Sequence, residues 1–212
     1  MSGLRLLVLG GTGRTGKHVI TQALERGYVV TALVRDPRRL ANPTDNVRVL
    51  AGSVLDDGTA LAAAVRDQDV VISALGAGDS LKSLGLFATF IPRLLRDMER
   101  SGIRRLILTS AFGVGDSYRD TPFIPRLFIH TLLRDLYRDK NAGDTILRQS
   151  ALDWTIVYPT GLTNGPATGH YRLGERLTLS GFPTIARANV ADFLVKQVED
   201  TSYVRKGVLI SA

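Results

Sequence analysis

Closely spaced glycines near the start of the chain have the pattern of a loop that binds phosphate. Gly11, Gly13 and Gly16 match G-x-G-x-x-G, and Gly10 starts the overlapping pattern G-x-x-G-x-x-G. Because glycine has no Cβ, the backbone can turn sharply here and approach a pyrophosphate closely. The helix expected after the loop would direct unpaired N–H groups and its positive dipole end at the phosphates. The sequence therefore predicts a binding site for a dinucleotide.

Arginine residues after the second predicted strand, Val29–Val34, bear on the choice of dinucleotide. Arg35 stands where the strand ends, and Arg39 follows one helical turn later, with Arg38 between them. Sites for NAD usually have a carboxylate at this strand end to bind a ribose hydroxyl, whereas sites for NADP must accommodate a phosphate. Guanidinium groups suit that phosphate, which predicts NADPH as the cofactor. Asp36 is the opposing signal, since its carboxylate could bind a ribose hydroxyl instead.

The elements that position these residues alternate along the chain. Apolar runs predict strands at Leu6–Leu9, Val29–Val34, Val47–Leu50, Val70–Ala74, Arg104–Thr109, Thr155–Tyr158 and Val208–Ile210. Helical spacing predicts helices at Gly16–Arg26, Thr59–Val65, Leu81–Arg100, Pro125–Gln149 and Val190–Glu199. This order predicts a single-domain α/β fold over residues 1–212, with a Rossmann-like, doubly wound and mostly parallel sheet and helices on both faces. Ligands of such sheets bind outside the carboxyl ends of the strands.

The composition indicates a globular protein with one core. The chain has 212 residues, of which 44% are hydrophobic, and a mean hydropathy of +0.07. No apolar stretch approaches the roughly 20 residues that span a bilayer, and the N-terminus does not resemble a secretion signal. We therefore expect a cytoplasmic protein without a membrane partner, present as a monomer or a weak homo-oligomer.

Two further features of the composition argue against other kinds of site. The chain has no cysteine, which excludes disulfides and thiolate chemistry, and its histidines, His18, His130 and His170, are too widely spaced to suggest a metal site. The formal charge of +7 would suit nucleic acid, but the arginines are interspersed with acidic residues, as at 93–100. Solvated helix faces account for this pattern, so we expect no metal and no nucleic-acid partner.

One segment, Pro159–Gly174, is rich in glycine and proline and has few large apolar residues. It follows the predicted strand at Thr155–Tyr158, so it lies near the ligand-binding edge of the sheet. We interpret it as one long loop that acts as a lid on the substrate side. Pro92 predicts a kink in the helix at Leu81–Arg100, or a new helix start with proline in its first turn.

Several segments resemble the atypical short-chain dehydrogenase/reductases with an NAD(P)H-binding domain, and within them the biliverdin-IXβ reductase and flavin reductase branch. The matching segments are 10–16, 33–40, 52–56, Leu75-Gly76, Thr109–Phe112, Leu152–Val157, Thr168–Arg172 and Asn189–Phe193. They cover nearly the whole chain. The resemblance is specific for fold and cofactor, and much less so for substrate, because many reactions share this fold.

The resemblance implies roles for individual residues along the cofactor. It places the pyrophosphate on Gly10, Thr12, Gly13, Arg14, Thr15 and Gly16, and the 2′-phosphate on Arg35 and Arg39. It places the adenine on Ser53 and Val54, and the ribose and nicotinamide side on Leu75 and Gly76. It places Ser110 beside the nicotinamide, and Pro159, Thr160, Gly161 and Leu162 over its carboxamide.

The chain departs from this family pattern at three places. Ser53 stands where an aspartate is usual on the adenine side. Gly78 and Asp79 stand where the flavin reductase branch can have an arginine, and Gly161 stands where it can have a histidine. These differences weaken the link to biliverdin or flavin as acceptor and leave the predicted NADPH site unchanged.

The catalytic pair usual in short-chain dehydrogenases, Tyr-x-x-x-Lys, is absent. Tyr137 precedes Lys140 by three residues, which is a spacing that still shares a helix face, but we do not expect these two residues to form the acid-base pair. Ser110 is the stronger catalytic candidate, because a hydroxyl at the carboxyl end of a central strand faces the ligand crevice. Its alternative role is to satisfy a local backbone group.

Two functions from different classes follow from the resemblance. The first is an NADPH-dependent reductase that transfers hydride to a small planar acceptor, such as a flavin, a quinone or a tetrapyrrole like biliverdin. Such acceptors need stacking, orientation and exclusion of water more than they need a protein acid. The second is a regulator that binds NADP(H) without turnover, like family members similar to the nitrogen-metabolite repressor protein.

Overall fold

A computed structural model of the chain describes residues 3–40, 46–76, 85–121, 126, 131 and 133–212. The strands are β1 Arg5–Leu9, β2 Val29–Val34, β3 Val47–Ala51, β4 Val70–Ser73, β5 Arg105–Thr109, β6 Asp153–Pro159, β7 Gly161–Thr163, β8 Arg172–Gly174, β9 Thr184–Ala186 and β10 Lys206–Ser211. The α-helices are α1 Arg14–Glu25, α2 Thr59–Val65, α3 Leu86–Arg100, α4 Arg134–Arg148 and α5 Arg187–Lys196. Short 3-10 helices lie at Pro37–Arg39 and Gly115–Asp120.

The strands form an eight-stranded sheet in the order β3-β2-β1-β4-β5-β6-β10-β8. Its first six strands have the order 3-2-1-4-5-6 of dinucleotide-binding folds. The pairs from β3 to β10 are parallel, and β8 runs antiparallel to β10 at the edge. The prediction of a doubly wound, mostly parallel α/β sheet is therefore confirmed.

The two faces of the sheet bury separate apolar clusters. Successive residues of a strand point to opposite faces, so Leu6 and Val8 of β1 join one cluster while Leu7 and Leu9 join the other. The first cluster packs on α1 and α5, and the second packs on α2, α3 and α4. Strands that are buried on both faces appear in the sequence as continuous apolar runs, which explains why β1 and β2 could be predicted closely.

The structure corrects several sequence-based boundaries. The segment Pro159–Gly174 is not one long loop, because it contains β7 and β8. These strands and β9 have three residues each, which is too short for a periodic pattern. The helix predicted at Pro125–Gln149 is described only from Arg134 to Arg148 as a continuous element, since residues 122–125, 127–130 and 132 lie outside the described residues.

Helix α3 runs through Pro92, so the predicted new helix start at this proline is wrong. The residues predicted as the beginning of this helix, 81–84, lie outside the described residues. Proline inside a helix costs about 3 kcal/mol through its missing N–H and a steric clash. Four fully buried side chains on the same helix, Phe87, Phe90, Ile91 and Leu94, offset this cost, since each contributes roughly 1.5–3 kcal/mol.

Replacing Phe90 with alanine is expected to lower the free energy of unfolding by about 3–5 kcal/mol, because it removes a fully buried ring and leaves a cavity. Phe182→Ala provides the matched control, since that ring is 66% exposed and its loss should change stability by less than about 0.5 kcal/mol. Urea denaturation followed by circular dichroism measures both values. Equal effects in the two variants would contradict this description of the core.

Candidate functional site

The turn between β1 and α1 requires glycine at two positions. Gly10 has a φ of +84°, and a Cβ there would lie 2.8 Å from the carbonyl oxygen of Ala74. A Cβ at Gly16 would collide with the carbonyl oxygen of Gly10. The N–H of Gly13 donates to that same carbonyl at 2.9 Å and closes the turn. Gly10 and Gly16 therefore bring the start of α1 directly against the end of β1.

Gly13 has a different reason to be glycine. Its φ is −75°, which any residue can adopt, and it occupies the N-cap position of α1 on the protein surface. No side chain caps α1 at this end, and its first turn contains no acidic residue. A Cβ at Gly13 would lie 3.1 Å from the carbonyl oxygen of Gly10. The first N–H groups of a helix have no acceptor within the helix, so this end of α1 can bind an anion. A pyrophosphate fits this arrangement, with Thr12, Arg14 and Thr15 around it.

The carboxyl ends of the central strands meet at the edge where α1 begins. The register pairs Leu9 with Ser73, and Thr109 with Val157. Residues that follow these ends are the ones predicted to contact a cofactor: Leu75, Gly76, Ser110, Pro159 and Thr160. The structure brings them to one edge, as predicted from the βα alternation.

The surfaces of these edge residues differ. Gly76 is exposed, and a Cβ added there would meet no atom within 4 Å, so the space beside it is open. Thr160 is buried, and its N–H donates to Ile210 at 3.1 Å. Gly161 and Leu162 lie in β7 and are exposed. Gly78 and Asp79 lie outside the described residues.

Asp36, the acidic residue beside the end of β2, is held by its neighbour Arg38. Its carboxylate accepts from the Arg38 backbone N–H at 3.1 Å and from the guanidinium at 2.9 and 3.2 Å. These bonds cap the 3-10 helix at Pro37–Arg39 and lower the pKa of Asp36. Arg35 and Arg39 are exposed, and among the described residues their guanidinium groups have no ion-pair or hydrogen-bond partner, although the backbone N–H of Arg39 donates to the Asp36 carbonyl at 3.2 Å. The two arginines predicted to bind phosphate can therefore reach a ligand.

Ser53 is part of a local turn. Its hydroxyl accepts from the N–H of Leu55 at 3.1 Å, and its own N–H donates to Asp56 at 3.0 Å. Val54 is buried in the second apolar cluster. The carboxylate of Asp56 thus stabilises the turn that places Ser53 beside the end of β3.

The alternative interpretation of Ser110 expected its hydroxyl to bond to a local backbone group, and the structure shows a different partner. The hydroxyl donates to Asp144 Oδ2 on α4 at 2.9 Å, and Ser110 is only 4% exposed. Asp144 is a functional candidate that the sequence analysis missed. Burial raises its pKa to about 6, although Ser110, Lys140 and the nearby Tyr158 and Arg148 all favour the carboxylate. The available signal was an acidic residue on the buried face of α4, four residues after Lys140.

Tyr137 and Lys140 have separate partners. The Tyr137 hydroxyl donates to the carbonyl of Phe112 at 3.1 Å, and burial raises its pKa. The Lys140 ammonium lies 4.1 Å from the centre of the Phe87 ring, and burial lowers its pKa to about 8. Asp139 accepts the N–H groups of Phe87 and Ala88 and caps the start of α3. The prediction that the two residues form no acid-base pair stays a prediction, and this geometry agrees with it.

A cavity of about 330 Å³ opens beside Tyr137, between residues 113–118 and the first turns of α4. Arg134 and Arg138 contribute positive charge to its wall, and Tyr118 contributes an aromatic ring. Gly113, three residues after Ser110, lines this cavity, whereas Ser110 itself is not among its lining residues. Arg126 covers one face of the Tyr118 ring, with its guanidinium carbon 4.7 Å from the ring centre. An anionic ligand would find matching charge in this cavity.

The chain matches the family described as NAD(P)H-binding over residues 10–201, which includes the glycine turn, the edge of the sheet and α4. The protein belongs to this NAD(P)H-binding family. Across the part of the chain that the structure describes, no helix is long and apolar enough to cross a membrane.

Similar proteins add further context. The chain is 28% identical to the photosystem II assembly factor Ycf39 of Synechocystis over 96% of its own length, and it spans 61% of the length of that relative. Its fold superimposes with a TM-score of 0.80 on ChuY, described as an anaerobilin reductase of Escherichia coli, at 23% identity and over 97% of this chain and 96% of that one. A short-chain dehydrogenase/reductase from Veillonella parvula, solved with NADP, has a TM-score of 0.80 at 21% identity over 99% and 94% of the two chains. At these identities the structural likeness shows the fold.

Proposed function

We propose that this member of the NAD(P)H-binding family is an NADPH-dependent reductase that acts on a planar acceptor such as a flavin, a quinone or a tetrapyrrole. The observation that supports it most directly is the arrangement at the end of β2. Asp36 is bonded to Arg38, while Arg35 and Arg39 are exposed at the position of a 2′-phosphate. When bound, NADPH supplies the hydride.

The residues of the chain hold the cofactor by position and charge. The N-terminus of α1 binds the pyrophosphate through backbone N–H groups, and Gly13 keeps the approach clear. Val54 and Ser53 would flank the adenine, and Leu75 and Gly76 would lie on the nicotinamide side. Pro159, Thr160, Gly161 and Leu162 would cover the carboxamide.

The cavity beside Tyr137 supports a planar acceptor. Its aromatic and cationic wall suits a conjugated ring with acidic substituents. ChuY, whose fold is similar over almost the whole chain, is described as a reductase of anaerobilin, which is a tetrapyrrole. Planar redox acceptors can be reduced with little more than orientation and exclusion of water, so the site does not require a Tyr-Lys pair.

The segment Pro159–Gly174 is proposed as the lid of this site. Residues 161–164 and 166–170 are exposed, and α5 holds the chain between β7 and β8 at three places. Arg187 donates to Asn164 at 2.7 Å, Asn189 accepts from the N–H groups of Thr168 and Gly169 at 2.8 and 3.2 Å, and Asp192 accepts from the Tyr171 hydroxyl at 2.7 Å. Strands β7 and β8 fix its two ends. A segment fixed at both ends with an exposed middle can close over a ligand without disturbing the sheet.

A regulator that binds NADP(H) without turnover is the second candidate. The relative Ycf39 is described as an assembly factor, which favours a role carried out through binding. Steady NADPH oxidation with flavin, quinone and biliverdin, followed at 340 nm without oxygen, separates the two. Acceptor-dependent turnover supports the reductase, whereas tight NADPH binding with no turnover on any acceptor supports the regulator.

Replacing Arg35 or Arg39 with alanine is expected to weaken NADPH binding by roughly tenfold or more and to leave NADH binding little changed. Each charged hydrogen bond to the phosphate contributes about 1.5–3 kcal/mol. Calorimetric titration with both cofactors measures the change in selectivity.

Arg104→Ala is the matched control for this experiment. It removes one positive charge beside the start of β5, at the opposite edge of the sheet, where Arg104 pairs with Asp153 at 3.0 Å. NADPH affinity should stay within about twofold at moderate salt, because distant exposed charges are screened. A wild-type protein that binds NADH as tightly as NADPH would show that the arginines do not select the cofactor.

Hydrogen exchange across residues 161–170 is expected to slow when NADPH binds, because the lid becomes ordered over the nicotinamide. Mass spectrometry of peptides from this segment measures the change. Peptides from β3 serve as an internal comparison, since they lie far from the lid. Equally fast exchange with and without NADPH would remove the lid from the proposed function.

Ser110→Ala is expected to lower kcat by roughly tenfold, because one neutral hydrogen bond contributes on the order of 1 kcal/mol. Tyr137→Phe should change kcat by less than about threefold, since its hydroxyl is bonded to the Phe112 carbonyl. Steady-state kinetics with the best acceptor measures both. A thousandfold loss in Tyr137→Phe, with NADPH affinity intact, would indicate carbonyl chemistry with Tyr137 as the acid, since a general acid contributes typically 10²–10⁴-fold.

A further inference from the structure

The contact between Ser110 and Asp144 joins the edge of the sheet to the interior. Ser110 follows the carboxyl end of β5, and Asp144 lies 34 positions later in α4, yet their oxygens are 2.9 Å apart. Asp144 is only 1% exposed. Its second oxygen, Oδ1, is buried as well, and the side chain of Tyr158 also favours the carboxylate form. Oδ2 is the oxygen that faces Ser110, so a proton that passes between the two residues is carried on Oδ2.

The groups that face Asp144 come from three elements. Lys140 and Arg148 lie one turn away on α4, Tyr158 comes from β6, and Ser110 comes from the end of β5. Arg148 donates to the Tyr158 hydroxyl at 3.1 Å and also lies 3.4 Å from Asp116 in the 3-10 helix. Arg148 therefore interacts with other partners besides Asp144. The effect of burial on Asp144 is larger than the effect of the nearby positive charges, so its pKa is raised to about 6.

The protonation state of Asp144 decides what the Ser110 hydroxyl can do. Beside a carboxylate, Ser110 donates its only proton inward and can only accept a hydrogen bond from a ligand. Beside a protonated Asp144, the carboxyl group donates to Ser110, and the serine proton is available to a ligand at the edge of the sheet.

We propose that Asp144 and Ser110 form a proton relay that supplies the proton accompanying hydride transfer. The proposal rests on the proposed reductase function. In this relay Ser110 is the residue that passes the proton to an acceptor bound at the edge of the sheet, and Asp144 is a positioning residue that acts through it. Lys140 stabilises the carboxylate left behind.

The protons and electrons of the relay and of the reductase reaction balance. The acceptor gains a hydride at one atom and a proton at a heteroatom, which together make a two-electron reduction. That proton comes from the O–H bond of Ser110, which breaks as Ser110 Oγ takes the proton of the Asp144 carboxyl group. Asp144 is left as a carboxylate and regains its proton from water through the edge of the sheet.

The pH dependence of kcat tests this relay. Wild-type kcat should be highest below about pH 6 and fall as pH rises, levelling off at roughly a tenth of its maximum, because the protonated carboxyl is the active form and Ser110→Ala keeps that residual rate. Asp144→Asn should lower kcat roughly tenfold at pH 6, remove the slope and leave the Kd of NADPH within about twofold. Asp144→Glu keeps a carboxyl group and should keep a sloping profile.

A double-mutant cycle separates a relay from a structural role. If both residues serve one proton, the Ser110→Ala/Asp144→Asn double variant should be no more than about twofold slower than either single variant. Independent, multiplying losses would overturn the relay. Asp139→Asn is the matched control, because it changes a buried carboxylate of the same helix that faces α3, and the pH profile should keep its slope.

A titration without turnover keeps the two proposals distinguishable. Carbon-13 NMR of the Asp144 carboxyl in the cofactor-free protein should show a midpoint well above that of an ordinary aspartate. Ser110→Ala should raise the midpoint further, because the serine favours the carboxylate. A midpoint near 4, or one unchanged by Ser110→Ala, would overturn the relay even in an active enzyme. The expected titration without turnover on any acceptor would overturn the reductase function on which the relay depends.

Discussion

The close backbone contact between Gly10 and Gly16 is the constraint on which the site depends. It places the start of α1 against the end of β1, so the uncapped N–H groups of the helix meet the carboxyl edge of the sheet. Any Cβ at Gly16 would force the helix away from this edge. The cofactor surface is therefore a consequence of how the first strand and helix pack, and binding needs few dedicated side chains.

The two faces of the sheet contribute differently to the edge. The face covered by α1 and α5 buries an apolar cluster, and a partly buried charge on this face, Arg105, lies at the start of β5 and donates to Thr155. The face covered by α4 contains a buried polar cluster, with Asp144, Lys140 and Tyr158 behind Ser110. Buried charges are unfavourable unless they are paired or change their pKa, and both Asp144 and Lys140 have shifted pKa values. Such a cluster beside a ligand crevice is typical of a functional region.

The sequence predicts the fold and the glycine turn between β1 and α1 well, because both depend on short-range patterns. Parallel strands buried on both faces are continuous apolar runs, and the glycine spacing encodes the turn itself. Strands β7, β8 and β9 were not predicted because three residues show no period. Pro92 left a kink or a new helix start open in the sequence, because local rules do not include the buried apolar face that keeps α3 continuous. The sequence does not predict the Ser110–Asp144 contact, for a different reason. It joins residues 34 positions apart and exists only once α4 packs on the sheet.

The pairing of Asp36 with Arg38 shows how a local contact can reverse the apparent meaning of a motif. A carboxylate at the end of β2 argues for NAD when it is unengaged. Here the carboxylate is used to cap the turn at Pro37–Arg39. This turn starts the short helix that contains Arg39. The carboxylate of Asp36, which could otherwise bind a ribose, therefore stabilises the backbone that carries this arginine. The basic character of this corner therefore depends on Asp36, since the turn needs its cap.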